Sequence, residues 1–494
     1  MLYFRMILTM IVSLYTSRVI LNTLGVEDYG IYNVVGGVVS MFAFFNSAMS
    51  SATQRFLSYE IGKGDFAQLR KTFNATQIIH IGIAILIFIL AETIGLWFVR
   101  TNLVIPPERI DAALWVYHFS VLSFMVTVIQ VPYNATIIAH ERMNVYAYVS
   151  IIEVVLKLLI VFMLTWITYD KLKLYGILLF VVVFFVAAIY RIYTRRNFKE
   201  TKFLIVNDKN LYKSLFSFSG WNLLGNAAVI IRGQGVNIIL NLFFGPAVNA
   251  ARGIAYQIQS ALYSFVLNFQ MAMKPQIIKS FALDDFKYMH QLVFRGSKFS
   301  FYLLFCLSLP VIFEAETILN IWLVEVPDYT IIFLRLIIID VLIESVAGQL
   351  VTAAHASGKI KLYQSIVALF FVLNLPISYL LLEYGYEPQT VMYVSIVLTS
   401  FNLFVRINIV SKLAKFEVVD FMKKVLFPIF LVVAVSIVIP LIIKSLMSNG
   451  IVEFFIMIIT SILSIVNTIY FIGLNKNERS FVKIKMNALI LKLK

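Results

Sequence analysis

Apolar runs of about 20 residues recur along this chain, and a run of that length, wound into a helix, crosses the hydrocarbon core of a bilayer. This feature constrains the fold more than any other. Of the 494 residues 61% are hydrophobic and only 14% are charged, which leaves too little polar surface to cover a soluble protein. The sequence therefore predicts an all-α polytopic membrane protein.

Hydropathy divides these runs into about fourteen predicted spans, numbered 1 to 14 in chain order. They cover residues 2–24, 30–54, 76–99, 112–138, 144–168, 174–194, 214–243, 248–273, 297–321, 329–354, 361–383, 390–410, 425–444 and 451–473. The even number predicts that both termini lie on the same side of the membrane.

The short loops alternate in their content of Lys and Arg. One side holds roughly 30 of the 41 basic residues, and the positive-inside rule makes it the cytoplasmic side. It includes the segments 191–213, 274–298, 406–424 and 476–494. The net charge of +15 is thus a topology signal, and no nucleic-acid partner is predicted.

The sequence shows no sign of an enzyme or of a cofactor site. The single cysteine, Cys306, lies in an apolar run and excludes disulfides and cysteine-based metal sites. No metal-ligand spacing, nucleophile elbow or Gly-rich phosphate loop occurs, so no catalytic residue, metal or cofactor is predicted.

Two segments of similar plan, 21–65 and 241–285, indicate an internal repeat. Each has a glycine in the turn that precedes an apolar run, and each ends in a charged loop. Matching positions are Gly25 and Gly245, and Asp65 and Asp285, 220 residues apart, then His140 and His355, and Ser150 and Ser365, 215 apart. Membrane proteins built from two similar halves are typically transporters, with the substrate pathway where the halves meet.

The repeat predicts two six-helix lobes followed by two extra helices. The predicted boundaries are 1–194 for the N-lobe, 195–213 for a basic linker, 214–410 for the C-lobe, 411–473 for spans 13 and 14, and 474–494 for a basic tail. The tail alternates Lys with apolar residues and is expected to lie on the anionic inner leaflet.

Charged residues within membrane spans are costly and indicate function. The predicted cations are Arg18 in span 1, Arg55 at the inner end of span 2, Arg232 in span 7, and Arg252 and Lys274 at the outer and inner ends of span 8. If these residues face one cavity, they would bind a pyrophosphate group, because guanidinium groups bind phosphate oxygens bidentately. The alternative for the three residues at span ends is that they reach the interface or mark topology.

Acidic residues form a smaller set. Asp340 and Glu344 share a face of span 10, where they would bind a proton or Na⁺, or else would pair with Arg335. Glu153 and Lys157 lie four residues apart on span 5, which predicts an intrahelical ion pair.

Four segments carry a family resemblance: LNTLGVEDYGIYNVVGG, SSATQRFLSYEIGKGD, VPYNATIIAHERMNVYAYVSIIEVVLKLLI and SFSGWNLLGNAAVIIRGQGVNIILNLFFGPAVNAARGIAYQI. The chain resembles Wzx-type oligosaccharide flippases, polysaccharide-biosynthesis members of the multidrug/oligosaccharidyl-lipid/polysaccharide (MATE-like) superfamily. The resemblance implies a central cavity between two lobes. It also implies transfer of an undecaprenyl-pyrophosphate-linked oligosaccharide, an O-antigen or capsule repeat unit, to the outer leaflet of the bacterial cytoplasmic membrane by alternating access. Polysaccharide polymerases would then be partners.

In the related lipid II flippases, basic residues of helices 1, 2 and 8 hold the pyrophosphate. Arg18, Arg55 and Arg252 are the matches by helix. The main alternative is a cation-coupled multidrug or organic-solute exporter of the same fold, which would need carboxylates in the N-lobe cavity. Spans 1 and 2 carry Arg18 and Arg55 instead. A membrane-embedded glycan polymerase or ligase would need a large outer loop, and every predicted outer loop is short.

Overall fold

The computed structural model describes residues 43–480 and 483, apart from 104, 168, 324, 325 and 447–449, together with part of 8–39. In that last range the described residues are 8, 9, 12, 15, 16, 19, 20, 23–25, 28, 31, 32, 35, 36 and 39. Arg18 lies outside the described residues. Every regular element within the described ranges is helical, as the composition predicts.

The helices, in chain order, are α1 Ala43–Lys63, α2 Phe66–Leu90, α3 Leu96–Asn102, α4 Ile110–Ala139, α5 Met143–Trp166, α6 Lys171–Asn197, α7 Lys209–Phe244, α8 Pro246–Ala282, α9 Phe286–Phe313, α10 Ala315–Trp322, α11 Thr330–Ser357, α12 Lys361–Glu383, α13 Thr390–Ala414, α14 Val418–Phe421, α15 Phe427–Ser436, α16 Val438–Leu446 and α17 Ile451–Thr468. Short 3₁₀ turns lie at Pro107–Arg109 and Lys199–Thr201, and π turns at Ala91–Gly95, Met422–Leu426 and Ile469–Gly473.

Ten helical segments in the described part of the chain are long and apolar enough to cross a membrane. Helices α8 and α11, which correspond to predicted spans 8 and 10, are not among the ten, and both carry charged residues. The chain is therefore a multi-span membrane protein, and the count of fourteen stays a prediction.

Contacts divide the chain into two compact units. Unit 1 comprises Met1–Ala227 and Ile278–Leu283, and unit 2 comprises Ala228–Ile277 and Asp284–Lys494. The division falls within α7 and α8. The lobe boundaries drawn from the repeat stay predictions.

The core of unit 1 forms where α4 packs against α6. Gly176 of α6 permits this approach, because a Cβ there would lie 3.3 Å from the backbone of Val116 on α4. Tyr117 and Leu164 are fully buried nearby. Large apolar side chains such as Phe184 are exposed on the outer face of α6, as expected of a surface in contact with lipid.

The two repeat segments have the same local structure at their matched positions. Gly25 and Gly245 both have positive φ, 81° and 77°, a conformation that glycine adopts without strain. Asp65 and Asp285 both cap the helix that follows, since each side chain accepts a hydrogen bond from the backbone N–H three residues later, at 2.9 and 3.0 Å. These contacts show that the matched turns have the same backbone conformation and the same helix cap.

Arg109 joins two of the predicted outer loops of unit 1. Its guanidinium donates to both carboxylate oxygens of Asp28, at 2.8 and 2.6 Å, and to Asp170 at 2.8 Å. Asp170 also caps α6 through the backbone N–H groups of Leu172 and Lys173, both at 3.1 Å. Burial raises the pKa of Asp170, but the hydrogen bonds from Arg109 and from the backbone outweigh this effect and hold the pKa below its ordinary value.

Two further ion pairs bear on the sequence predictions. Lys157 donates to Glu153 at 2.6 Å, which confirms the intrahelical pair on α5. In unit 2, buried Lys298 of α9 donates to Glu478 at 2.7 Å and so fastens the start of the predicted basic tail. The residues from 484 onward lie outside the described part of the chain.

Candidate functional site

A cavity of about 510 Å³ with several charged residues in its lining lies within unit 2, between α7, α8, α11 and α12. Its lining residues are Val229, Arg232, Gly233, Gln234, Asn237, Arg252, Gly253, Tyr256, Gln259, Tyr263, Ile337, Asp340, Val341, Glu344 and Phe371.

The lining follows the helical repeat on each element. On α8 the spacing runs Arg252, Tyr256, Gln259, Tyr263, which places four polar side chains on one stripe. The lining residues of α7 and α11 recur every three or four positions in the same way. On α7 the polar lining residues are Arg232, Gln234 and Asn237.

Arg232 and Asp340 form an ion pair at the cavity wall. Arg232 donates from Nη2 to Asp340 Oδ2 at 2.6 Å and to Ser395 Oγ at 2.9 Å. Its guanidinium also lies 5.2 Å from the ring centroid of Phe371. The second carboxylate oxygen, Asp340 Oδ1, is buried and accepts no hydrogen bond from the described residues.

The other cavity carboxylate, Glu344, is paired with Arg406 of α13 at 2.6 Å. Arg406 is buried, with only 3% of its side chain exposed. In the sequence it counted only as one of the basic residues that mark the cytoplasmic side, whereas in the structure it neutralises a cavity carboxylate. Arg335, the partner suggested by sequence for both acids, instead donates to the carbonyl of Ile312 at 3.1 Å.

Arg252 lines the cavity without a carboxylate partner among the described residues. Only 4% exposed, it donates to Asn237 Oδ1 and, at 3.3 Å, to the hydroxyl of Tyr256. Among the described residues it forms no ion pair, and its buried Nε has no hydrogen-bond partner. Since Asp340 and Glu344 are each paired with another arginine, Arg252 leaves the cavity with a positive charge that no carboxylate of the described residues compensates.

Two other predicted cations, Arg55 and Lys274, are not among the residues that line this cavity. Arg55 lies on α1 in unit 1, where it is 7% exposed and its guanidinium lies 4.6 and 4.7 Å from the ring centroids of Phe56 and Tyr59. Lys274 of α8 is partly buried and is not one of the cavity-lining residues. The structure therefore brings Arg232, Arg252, Asp340 and Glu344 together.

Comparison with known families identifies residues 2–281 as a match to a family described as "Polysaccharide biosynthesis protein". That match covers more than half of the chain. No curated protein matches the chain.

Solved structures of MATE transporters have the same fold. The outward-facing multidrug resistance MATE family transporter of the MOP superfamily is 12% identical and covers 83% of this chain and 95% of its own, with a TM-score of 0.70. The bent form of the Vibrio cholerae MATE transporter VcmN is 17% identical over 84% and 95%, with a TM-score of 0.69. A MOP superfamily transporter from Pyrococcus furiosus, described as having a binding pocket of reverse polarity, is 12% identical over 84% and 94%, with a TM-score of 0.68.

Proposed function

Because the chain belongs to the polysaccharide biosynthesis protein family and has the MATE-like fold of membrane transporters, we propose that it flips an undecaprenyl-pyrophosphate-linked oligosaccharide. The family and the fold are those of transporters and flippases rather than of enzymes. The proposed substrate is an O-antigen or capsule repeat unit. It moves from the inner to the outer leaflet of the bacterial cytoplasmic membrane by alternating access, and a polysaccharide polymerase uses it there.

The observation that supports this substrate is the charge balance of the cavity in unit 2. The carboxylates of Asp340 and Glu344 are each paired with an arginine, and Arg252 has no carboxylate partner among the described residues. A cavity with excess positive charge favours an anionic headgroup over an organic cation. A pyrophosphate offers several acceptor oxygens to a guanidinium, and the polyprenyl tail can stay in lipid while the headgroup crosses.

We assign the first phosphate contact to Arg252, because its Nε is buried and has no partner within the described ranges. Arg232 is the second ligand, although Asp340 holds it in this structure. Binding of a proton or Na⁺ at Asp340 would weaken that pair and release Arg232 toward the substrate. Glu344 is the second coupling candidate. Arg18, Arg55 and Lys274 stay proposals as further pyrophosphate ligands.

The test is complementation of a flippase-deficient strain, with accumulation of lipid-linked oligosaccharide on the cytoplasmic side as the readout. Each charge-assisted contact contributes about 1.5–3 kcal/mol, so Arg252→Ala should reduce export roughly tenfold to a hundredfold. Arg252→Lys keeps the charge without the bidentate fork and should retain partial activity. Arg18→Ala is expected to be nearly inactive. Arg335→Ala is the matched control, because Arg335 is a basic residue of α11 that does not line the cavity.

Full surface-glycan export by the Arg232→Ala/Arg252→Ala double variant, at normal protein levels, would refute the cavity-cation mechanism. A cation-coupled exporter of organic solutes is the second candidate, since Asp340 keeps a buried carboxylate oxygen without a partner in the described structure. The exporter would lose activity in Asp340→Asn and keep it in Arg252→Ala. A flippase in which Asp340 only couples the ion would keep substrate binding in Asp340→Asn and lose its dependence on the ion gradient.

A further inference from the structure

The segment 198–208, which joins α6 to α7, is fastened to the first turns of α2. Asn74 of α2 donates from Nδ2 to the carbonyl of Lys202 at 3.1 Å and accepts from the backbone N–H of Leu204 at 2.9 Å. Arg70, one turn earlier, donates to the carbonyl of Lys202 at 3.3 Å. Two side chains of α2 thus replace the partner strand that an extended segment would otherwise need.

Both acidic residues of this segment form hydrogen bonds within unit 1. Glu200 is buried and contacts His140, the residue that follows α4, at 2.6 Å, while the His140 ring stacks on Phe198 with centroids 4.2 Å apart. Asp208 caps α7 by accepting from the backbone N–H of Leu211 at 3.0 Å. The outer surface of the segment therefore has no free carboxylate to oppose its basic residues.

That outer surface combines large apolar side chains with lysines. Phe203 and Ile205 are 66% and 78% exposed, and their spacing of two in an extended segment turns both to one side. Lys71 and Lys209 line the same surface depression as Ile205. The other exposed basic residues of the segment and of the adjoining helix ends are Arg195, Arg196, Lys199, Lys202 and Lys213. We name Phe203, Ile205 and these basic residues the linker patch.

The patch lies where the membrane spans end. Three helices that are long and apolar enough to cross a membrane end or begin here: α6 ends at Asn197, α7 begins at Lys209, and α2 begins at Phe66, close to the Arg70 and Asn74 contacts. A segment of this length held at three span ends stays at the level of the lipid headgroups. Its Lys and Arg content places it on the cytoplasmic side, where the leaflet is anionic.

We propose that the linker patch binds the anionic surface of the inner leaflet. The side chains of Phe203 and Ile205 insert at the boundary between headgroups and acyl chains, and the surrounding lysines and arginines bind anionic phospholipid headgroups. The hydrogen bonds from Asn74 and Arg70 present the two apolar side chains in the extended form that this insertion needs. The patch thereby fixes the depth of the inner ends of α2, α6 and α7.

The first test places an environment-sensitive NBD label on single cysteines in the full-length Cys306→Ser protein. Ile205→Cys is the probe, and Asn197→Cys is the control, because Asn197 is exposed at the end of α6 and is not part of the linker patch. In nanodiscs rich in phosphatidylglycerol, the label at 205 should be quenched by lipids that carry a spin label near the headgroup. Aqueous iodide should quench it several-fold less than the label at 197. Equal iodide quenching at both positions would overturn the proposal.

The second test addresses the charge. The triple variant Lys199→Gln/Lys202→Gln/Lys209→Gln changes exposed side chains whose backbone contacts are retained. It should raise iodide quenching at 205 in phosphatidylglycerol nanodiscs, as should replacing phosphatidylglycerol by phosphatidylcholine in the unsubstituted protein. Protection at 205 that is insensitive to both changes would reject anionic lipid as the ligand. Protection that appears only when a soluble protein fraction is added would assign the patch to a protein partner and overturn the proposal.

Discussion

The Glu344–Arg406 pair should respond very differently to the loss of each partner. The two side chains meet at 2.6 Å, yet the exposed fraction is 31% for Glu344 and 3% for Arg406. Glu344→Gln leaves a buried guanidinium without its carboxylate. Arg406→Met leaves a carboxylate at the cavity wall, where water can hydrate it, and fills most of the vacated volume.

The expected magnitudes follow from this difference in exposure. Removing one partner and leaving a buried, uncompensated charge costs about 3–5 kcal/mol, which applies to Glu344→Gln. A polar group left with incomplete pairing costs about 1–3 kcal/mol, which applies to Arg406→Met. Replacing both members of a buried pair is often close to neutral, so the double variant should recover most of the loss.

The assay is equilibrium unfolding in mixed dodecyl maltoside and dodecyl sulfate micelles, followed by tryptophan fluorescence. The two single variants and the double variant form a double-mutant cycle that isolates the interaction between the partners. The reasoning is refuted if Glu344→Gln costs no more than Arg406→Met. Additive effects in the double variant would also refute it.

Three further predictions concern topology, pH and packing. With the native cysteine replaced, a cysteine at Glu387 should react with an impermeant thiol reagent in intact cells and one at Lys415 should not; the reverse pattern contradicts the predicted sidedness. The lowered pKa of Asp170 means that its contribution to stability is complete above the ordinary aspartate pKa and is lost as the pH falls through the lowered pKa. Thermal stability should therefore fall less steeply in that acidic range in Asp170→Asn, and parallel curves would contradict this. Gly62→Ala should lower the thermal stability of the protein, because the new Cβ would lie 2.8 Å from the Lys279 backbone. Gly82→Ala is the control and should not lower it, because nothing lies within 4 Å of the new Cβ there. Equal thermal stability of the two variants would contradict this prediction.

The parts of the fold that the sequence predicted are those encoded locally. An apolar run of sufficient length specifies a membrane helix wherever it occurs. The matched caps at Asp65 and Asp285 each depend on one side chain and one helical turn, so the repeated sequence forms the same hydrogen bond at both positions. The ion pair of Glu153 and Lys157 likewise needs only the helical repeat.

The pairing of charges across helices could not be predicted in the same way. Arg406 and Glu344 are 62 residues apart, and Arg232 and Asp340 are 108 apart. Hydropathy located each of these residues in or beside a span without showing which one faces which. The sequence predicted Arg232 as one of five cavity cations, and the structure shows that Asp340 neutralises it.

Arg252 offers the sharpest distinction between a structural and a ligand-binding arginine. A buried guanidinium without a carboxylate destabilises a protein, and the Asn237 and Tyr256 hydrogen bonds compensate for that charge only in part. Arg252→Met removes the charge, keeps most of the volume and should raise the fraction of dodecyl sulfate needed for unfolding. If Arg252 binds the pyrophosphate, the same variant should be more stable and should no longer export the substrate, because residues that bind ligands often lower the stability of the free protein. A structural arginine would give the opposite result, a less stable protein whose remaining folded fraction still exports, and that outcome would remove Arg252 from the site.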